Sequence, residues 1–141
     1  MNQWYLSALD KLLTGDIDVI NDKLYVSLVD TSLYTPDLEN DQWLSSIPKE
    51  AIISSAFIEG RTTNGKGTMD AQDSLLKAVP GDGTKSYDLL VIWKSTGSRT
   101  NSILMAALDE GDEFPYFPDG SDIPIQWDDG LEKVLTLVNG A

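Results

Sequence analysis

Along much of this chain, hydrophobic and polar positions alternate with the period of two that is typical of β-strands. The clearest alternation lies in segment 23–30, and segment 87–94 is almost continuously apolar, as expected for a strand covered on both faces. A second apolar run, 102–108, follows after a short loop that contains Ser and Gly. We therefore expect 87–94 and 102–108 to pair as a hairpin in the core.

Shorter strands are predicted where turn residues interrupt other apolar segments. They are 51–63 (as one strand or two), 68–70, 74–79, 123–127 and 134–138. The sequence at 64–67, Asn-Gly-Lys-Gly, favours a hairpin turn with positive φ at Asn and Gly, and 128–130 predicts another turn. Pro124 favours an edge position, because proline cannot donate to a ladder. The acidic segment 109–122 contains Gly and Pro and predicts the longest surface loop.

A helical period occurs near the N-terminus. Segment 4–13 places one apolar stripe on a helix, formed by Tyr5, Leu6, Leu9, Leu12 and Leu13, and Gly15 is a typical stop. Segment 40–44 predicts the start of a second short helix, capped by an Asn or Asp side chain and ended by Pro48. The expected fold is mainly β: one antiparallel β-sandwich or jelly-roll-like domain over 1–141 with a short N-terminal helix.

The net charge of the chain argues against some classes of binding partner. The chain has 23 acidic and 10 basic residues, a net charge of -13, which would repel a phosphate backbone. No apolar run approaches the roughly 18 residues that span a bilayer, and the N-terminus lacks the pattern of a secretory signal. We expect a protein that binds neither nucleic acid nor a membrane and that is made in the cytoplasm.

The residue types that most often carry catalysis are missing. The sequence has no His and no Cys, so thiolate chemistry is excluded and the commonest general base is absent. Segment 81–86 is similar to a phosphate loop but lacks the spacing, the preceding strand and the following helix. We predict no catalytic residues, no cofactor and no enzyme activity.

Clusters of acidic residues are candidate ligands for Ca²⁺, because this ion favours carboxylates on flexible loops. Three clusters qualify: Asp16, Asp18 and Asp22; Asp109, Glu110, Asp112 and Glu113; and Asp119, Asp122, Asp128 and Asp129. None reproduces the twelve-residue calcium loop with its closing Glu. Solvated acidic loops are the more common explanation, so no metal site is predicted, and calcium binding stays open.

Aromatic residues outside the strands are the candidate contacts with a partner. Trp93 and Trp127 lie in predicted strands, where core packing is the simplest role. The candidate partner-binding residues are Trp4, Trp43, Phe114, Tyr116 and Phe117. For the loop aromatics, an alternative of equal weight is that they fold back and cap the sandwich.

Six segments carry a resemblance to a known family. They are LTGDID (13–18), DKLYVSLV (22–29), SLYTPD (32–37), QWLSSI (42–47), LVIWKSTG (90–97) and IQWDDG (125–130). In this order they resemble a family of small structural proteins of tailed bacteriophages, which are virion components often encoded near head genes. The likeness runs loosely over nearly the whole chain.

The resemblance implies a capsid cement or decoration protein with a β-sandwich or jelly-roll-like fold. Such a protein is assembled in the host cytoplasm and binds the outer surface of the shell. The implied partner is the major capsid protein, on which the chain would sit as a homo-oligomer. Two alternatives remain: a tail or head-tail connector component that closes into a ring, and a calcium-dependent carbohydrate-binding module that stacks sugars on Trp4, Trp43 or Tyr116.

Overall fold

Short antiparallel strands dominate the described part of the chain, which comprises residues 3–109, 114–127 and 135–136 of the computed structural model. In chain order the elements are β1 (Gln3–Trp4), α1 (Leu6–Thr14), β2 (Leu24–Val29), β3 (Ile52–Phe57), β4 (Thr62–Thr63), β5 (Thr68–Asp70), β6 (Ser74–Leu76), β7 (Leu89–Lys94), β8 (Ile103–Leu108), β9 (Ile123–Ile125) and β10 (Leu135–Thr136). Two 3₁₀ turns, Leu44–Ser46 and Lys49–Ala51, lie between β2 and β3. The protein is mainly β with one short helix, as the alternation predicts.

A five-stranded antiparallel sheet in the order β1-β8-β7-β2-β3 forms the centre of the molecule. The strands β7 and β8 pair as the predicted hairpin, from Leu90 opposite Leu108 to Lys94 opposite Ile103. Every residue of β8 is buried, and so are the first four of β7. The helix α1 packs against β8, and β6 of one small sheet packs against β3, in a sandwich-like arrangement.

Two small sheets accompany the central one: β10-β5-β4 and β6-β9. Strands β4 and β5 form the predicted hairpin, with positive φ at Gly65 and Gly67. The expectation of a positive φ at Asn64 is wrong. Its side-chain oxygen instead accepts the amide of Lys66 at 2.7 Å, which satisfies the turn without the left-handed conformation.

Strand β9 pairs with β6 alone among the described strands, so Pro124 lies at an edge as predicted. The predicted turn at 128–130 lies outside the described residues. Of the predicted strand 134–138, only Leu135–Thr136 is described, and it pairs with Met69 and Thr68 of β5.

The helix α1 ends where the sequence predicts, with Gly15 at a φ of 84°. Fewer residues of this helix are buried than the predicted apolar stripe contains. Tyr5 and Ala8 are fully buried and Leu12 packs against the core, whereas Leu6 is 51% exposed and Leu13 is 86% exposed. Leu6 and Leu13 lie about 100° and about 80° around the helix from Tyr5, which turns them away from the sheet.

The second predicted helix, starting at residue 40, is not formed. The side chain of Asp37, not Asn40, caps a single turn by accepting the amide of Asn40 at 3.2 Å. The following backbone runs along β8, because the Gln42 carbonyl accepts from Leu104 at 3.0 Å and the Leu44 amide donates to Ser102 at 2.8 Å. Helical structure therefore begins only at Leu44 and lasts three residues before Pro48.

A buried chain of hydroxyl groups joins α1 to the segment after β2. The hydroxyls of Tyr5 and Tyr34 lie 2.7 Å apart, and the Tyr34 hydroxyl donates to Asp41 Oδ2 at 2.7 Å. Burial raises the pKa of both Tyr5 and Tyr34, so both phenols are neutral donors at physiological pH.

Asp30 and Lys85 link the end of β2 to the segment before β7. Asp30 Oδ2 accepts from Lys85 Nζ at 2.7 Å, and Oδ1 accepts from the amide and the hydroxyl of Ser32. The hydrogen bond from Lys85 is the largest cause that lowers the pKa of Asp30 below its usual value. The ionised form of Asp30 therefore stabilises the folded state.

The substitution Asp30→Asn should lower the Tm at pH 7 by an amount that shrinks as the solution is acidified. Because the pKa of Asp30 is lower in the folded chain than in the unfolded chain (about 3.9), its contribution is present above that pH and is lost as the pH falls further. Thermal melts of both proteins from pH 7 to pH 3 measure the difference.

Lys85→Met is the matched control for this prediction. It removes the partner but keeps the carboxylate, so it should also lower the Tm at pH 7 and raise the pKa of Asp30 toward its ordinary value. A Tm difference between wild type and Asp30→Asn that stays constant from pH 7 to pH 3 would contradict the assignment.

Candidate interaction surfaces

Two of the candidate aromatic residues lie along the outer edge of β8. Trp4 pairs with Ala106 through β1, and Trp43 forms an isolated bridge with Ile103. Trp4 is half-buried against the core, while Trp43 is 39% exposed. Lys11 Nζ lies 4.9 Å from the centre of the Trp43 ring, a cation-π contact that orients the indole. We name Trp4 and Trp43 the edge pair.

The other three candidates belong to the segment after β8, and we name residues 114–118 the aromatic loop. Tyr116 is buried, and its amide and carbonyl both bond to the backbone of Tyr87 at 2.8 Å. Phe114 packs edge-to-face on Tyr116 with ring centres 5.2 Å apart. Phe117 is 54% exposed. Phe114 and Tyr116 thus fold back onto the domain, and Phe117 points outward.

Backbone hydrogen bonds also fix the residues after Phe117 to the domain. The Pro118 carbonyl accepts from the Gly83 amide at 2.8 Å, and the Val79 carbonyl accepts from Gly120 at 2.7 Å. At Gly81 the backbone approaches so closely that a Cβ would lie 2.3 Å from the Pro118 carbonyl oxygen. The loop backbone is therefore fixed on both sides of the exposed ring.

Trp43 and the aromatic loop lie toward opposite ends of the β7-β8 hairpin. Trp43 pairs with Ile103 at one end, and Tyr116 pairs with Tyr87, just before β7, at the other. Trp4 pairs with β8 between these two ends. The five candidates are therefore spread along the length of the hairpin.

Two carboxylates flank the aromatic loop. Asp82 lies between Gly81 and Gly83, which both contact Pro118, and Asp119 follows Pro118 directly. Each carboxylate accepts the hydroxyl and the amide of the residue two positions later, and these bonds lower the pKa of Asp82 and Asp119. Both are ionised at neutral pH, so the two segments that meet at Pro118 carry negative charge.

Sequence reasoning missed an aromatic row on the central sheet. Tyr25 stacks on Trp93 at 4.9 Å and meets Phe57 edge-to-face at 5.5 Å, across β7, β2 and β3. The Trp93 indole donates to Ser27 Oγ at 2.8 Å. The alternation in 23–30 is the signal that could have revealed the row, because it puts Tyr25 on the face of β2 that does not carry Leu24, Val26 and Leu28.

The two tryptophans expected in the core differ in burial. Trp127 is buried, and its indole donates to Ser74 Oγ at 3.2 Å. Trp93 is only half-buried, because the aromatic row forms part of the surface.

In the acidic cluster of Asp16, Asp18 and Asp22, carboxylate groups accept hydrogen bonds and form an ion pair. Asp18 accepts the amides of Ile20 and Asn21, and Asp22 lies 3.0 Å from Lys94 Nζ. The amide of Asp18 also donates to Asp22 Oδ2 at 2.7 Å. Within 3–109, 114–127 and 135–136, no group of three or more His, Cys, Asp or Glu side chains is placed to hold a metal ion. The other two clusters include residues 110, 112, 113, 128 and 129, which lie outside the described residues.

In the described part of the chain, no helix is long and apolar enough to cross a membrane. Comparison of the sequence with protein-family models and with curated proteins matches no family model and no curated protein.

Proposed function

We propose that this chain is a bacteriophage capsid cement or decoration protein that binds the outer surface of the major capsid shell and stabilises it. The observation that supports this most directly is the aromatic loop. Its backbone is fixed to the domain on both sides, yet Phe117 is exposed. An exposed aromatic on a rigid loop of an acidic domain suits contact with another protein.

The state of the carboxyl groups also favours binding over catalysis. Five carboxyl groups have a lowered pKa, caused first by a hydrogen bond from a nearby side chain: those of Asp18, Asp30, Asp37, Asp82 and Asp119. A general acid needs the opposite, a carboxyl whose pKa is raised toward neutrality. These groups act as turn acceptors and as surface charge.

A cement role needs many modest contacts and no chemistry. Shell subunits meet at seams around local symmetry axes, and a domain that bridges two subunits gains avidity from each added contact. The net charge of -13 keeps such a domain soluble at high concentration and steers it toward a basic surface. Trp43 and Phe117, toward opposite ends of the β7-β8 hairpin, provide two exposed aromatic side chains for such bridging.

The test is the survival of shells with and without this protein. Shells of the major capsid protein encoded in the same genome should withstand higher temperature when the purified chain is added, as followed by light scattering and imaging. An equally acidic unrelated protein at the same concentration is the control for charge. Equal survival of coated and bare shells would rule out the cement role.

Sizing of the isolated protein separates this proposal from the connector alternative. A cement protein should elute as a monomer or small oligomer and bind only assembled shells. A closed ring in the absence of shells would favour the tail or head-tail connector.

A chelator tests the carbohydrate-binding alternative. If the acidic loops hold Ca²⁺, adding a chelator should lower the Tm of the purified chain. A cement protein without bound calcium should melt at the same temperature with and without the chelator.

A further inference from the structure

We propose that Phe117 is the anchor of the contact with the shell, where its ring enters an apolar pocket rimmed by basic side chains. This inference rests on the proposed function, and it assigns the contact to one loop and the partner to one chemistry. The partner is the outer surface of the capsid protein, and neither a second copy of this chain nor nucleic acid is expected there.

The first support is the order of the loop around an exposed apolar ring. Before Phe117, Tyr116 is bonded to Tyr87 in both directions, and after it Pro118 is bonded to Gly83. A ring carried by such a backbone loses little conformational entropy when a partner covers it. Phe117 therefore has the preorganisation that strong interface anchors share.

The second support is the division of roles inside the aromatic loop. Phe114 and Tyr116 pack on each other and on the domain, so they hold the loop in place. Phe117 follows directly and keeps 54% of its surface exposed. Interface energy is concentrated in a few large side chains that fill pockets, and a half-exposed Phe between two ordered residues fits that pattern.

The third support is charge complementarity. The carboxylates of Asp82 and Asp119 belong to the two segments that meet at Pro118, the residue that follows Phe117. Both accept hydrogen bonds from their own turns, so they keep their places and their charge. An apolar pocket with Lys or Arg at its rim is the surface that matches an exposed aromatic ring whose neighbouring segments carry two fixed carboxylates.

The experiment measures the binding of purified full-length chain to shells that lack it, by co-sedimentation at increasing protein concentration. Phe117→Ala should weaken binding roughly thirtyfold, as expected for a central anchor. Leu13→Ala is the matched control, since Leu13 is an even more exposed apolar side chain on α1 and should leave binding unchanged. Equal Tm values for both variants and the wild type show that each is folded.

A second pair of variants tests the basic rim. Asp82→Asn and Asp119→Asn each keep the side-chain oxygen that accepts the turn hydrogen bonds but remove the charge. The double variant should bind several-fold more weakly at low salt, and its affinity should depend less on salt than that of the wild type. An unchanged salt dependence would overturn the basic rim.

The outcomes separate this inference from the function on which it rests. If the wild type binds shells and Phe117→Ala binds equally well, Phe117 is not the anchor although the decoration role stands. If the wild type does not bind shells, both proposals fail. If Phe117→Ala changes the elution volume of the isolated protein, the loop contacts a second copy and the assignment to the shell is overturned.

Discussion

Replacing Gly81 with Ala should destabilise the domain by about 2–4 kcal/mol. The added Cβ would lie 2.3 Å from the carbonyl oxygen of Pro118 and 2.9 Å from its carbonyl carbon. Both are backbone atoms, so neither can turn aside as a flexible side chain would. The φ of 154° at Gly81 adds to the cost, because residues with a side chain seldom adopt it.

Gly120→Ala provides the matched control. Gly120 also has a positive φ, 92°, but a Cβ there would meet nothing within 4 Å. It should cost only the backbone strain, about 1 kcal/mol. Urea unfolding of the two variants beside the wild type measures the contrast, and equal losses would show that the contact with Pro118 is not tight.

The substitution Tyr34→Phe should cost about 2–3 kcal/mol, although it removes a single oxygen atom. The Tyr34 hydroxyl donates to Asp41 and, since its one proton is used there, accepts from the hydroxyl of Tyr5. Without it, the fully buried hydroxyl of Tyr5 keeps no partner in this chain of bonds. A buried, unpaired hydroxyl loses its hydration without compensation.

A double-mutant cycle tests the direction of this chain of bonds. Tyr5→Phe alone should cost less than Tyr34→Phe, about 1 kcal/mol, because the bond from Tyr34 to Asp41 survives. Once Phe is at position 34, adding Tyr5→Phe should cost nothing or restore stability, since it removes the unpaired hydroxyl. Additive losses, measured by urea unfolding, would contradict the arrangement.

The central strands could be predicted because local pattern and tertiary role agree. Segment 87–94 is apolar on both faces because four consecutive residues of β7 (Leu89–Lys94) are buried, which covers both faces of the strand. Likewise Gly15 follows an amphipathic turn and ends α1. In each case residues that are adjacent in the sequence determine the local structure, so the hydrophobic periodicity is enough to predict it.

The elements that could not be predicted depend on distant partners. Strand β1 has two residues, which are too few to show alternation. It forms because it pairs with β8, a strand about a hundred residues further along the sequence. Residues 42–44 are extended for the same reason, since their hydrogen-bond partners are Ser102 and Leu104. Local sequence favours a helix there, and tertiary contacts override that preference.

The sequence identifies the candidate contact residues but not which of their side chains are buried and which are exposed. Composition singles out aromatics in loops, and it cannot tell which ring of the aromatic loop turns inward. The bonds between Tyr116 and Tyr87 decide that question, and they join segments nearly thirty residues apart. The loop-capping expectation is confirmed for Tyr116 and Phe114, and Phe117 stays exposed.

The covered edge of β8 limits how the sheets of two molecules can pair. Isoleucine, leucine, methionine and alanine make up this strand, and an open edge of that composition would template pairing between neighbouring molecules. Strand β1 and residues 42–44 occupy that edge instead. This fully buried strand is therefore kept from pairing with a second molecule, and the strands at the edges of the central sheet are β1 and β3.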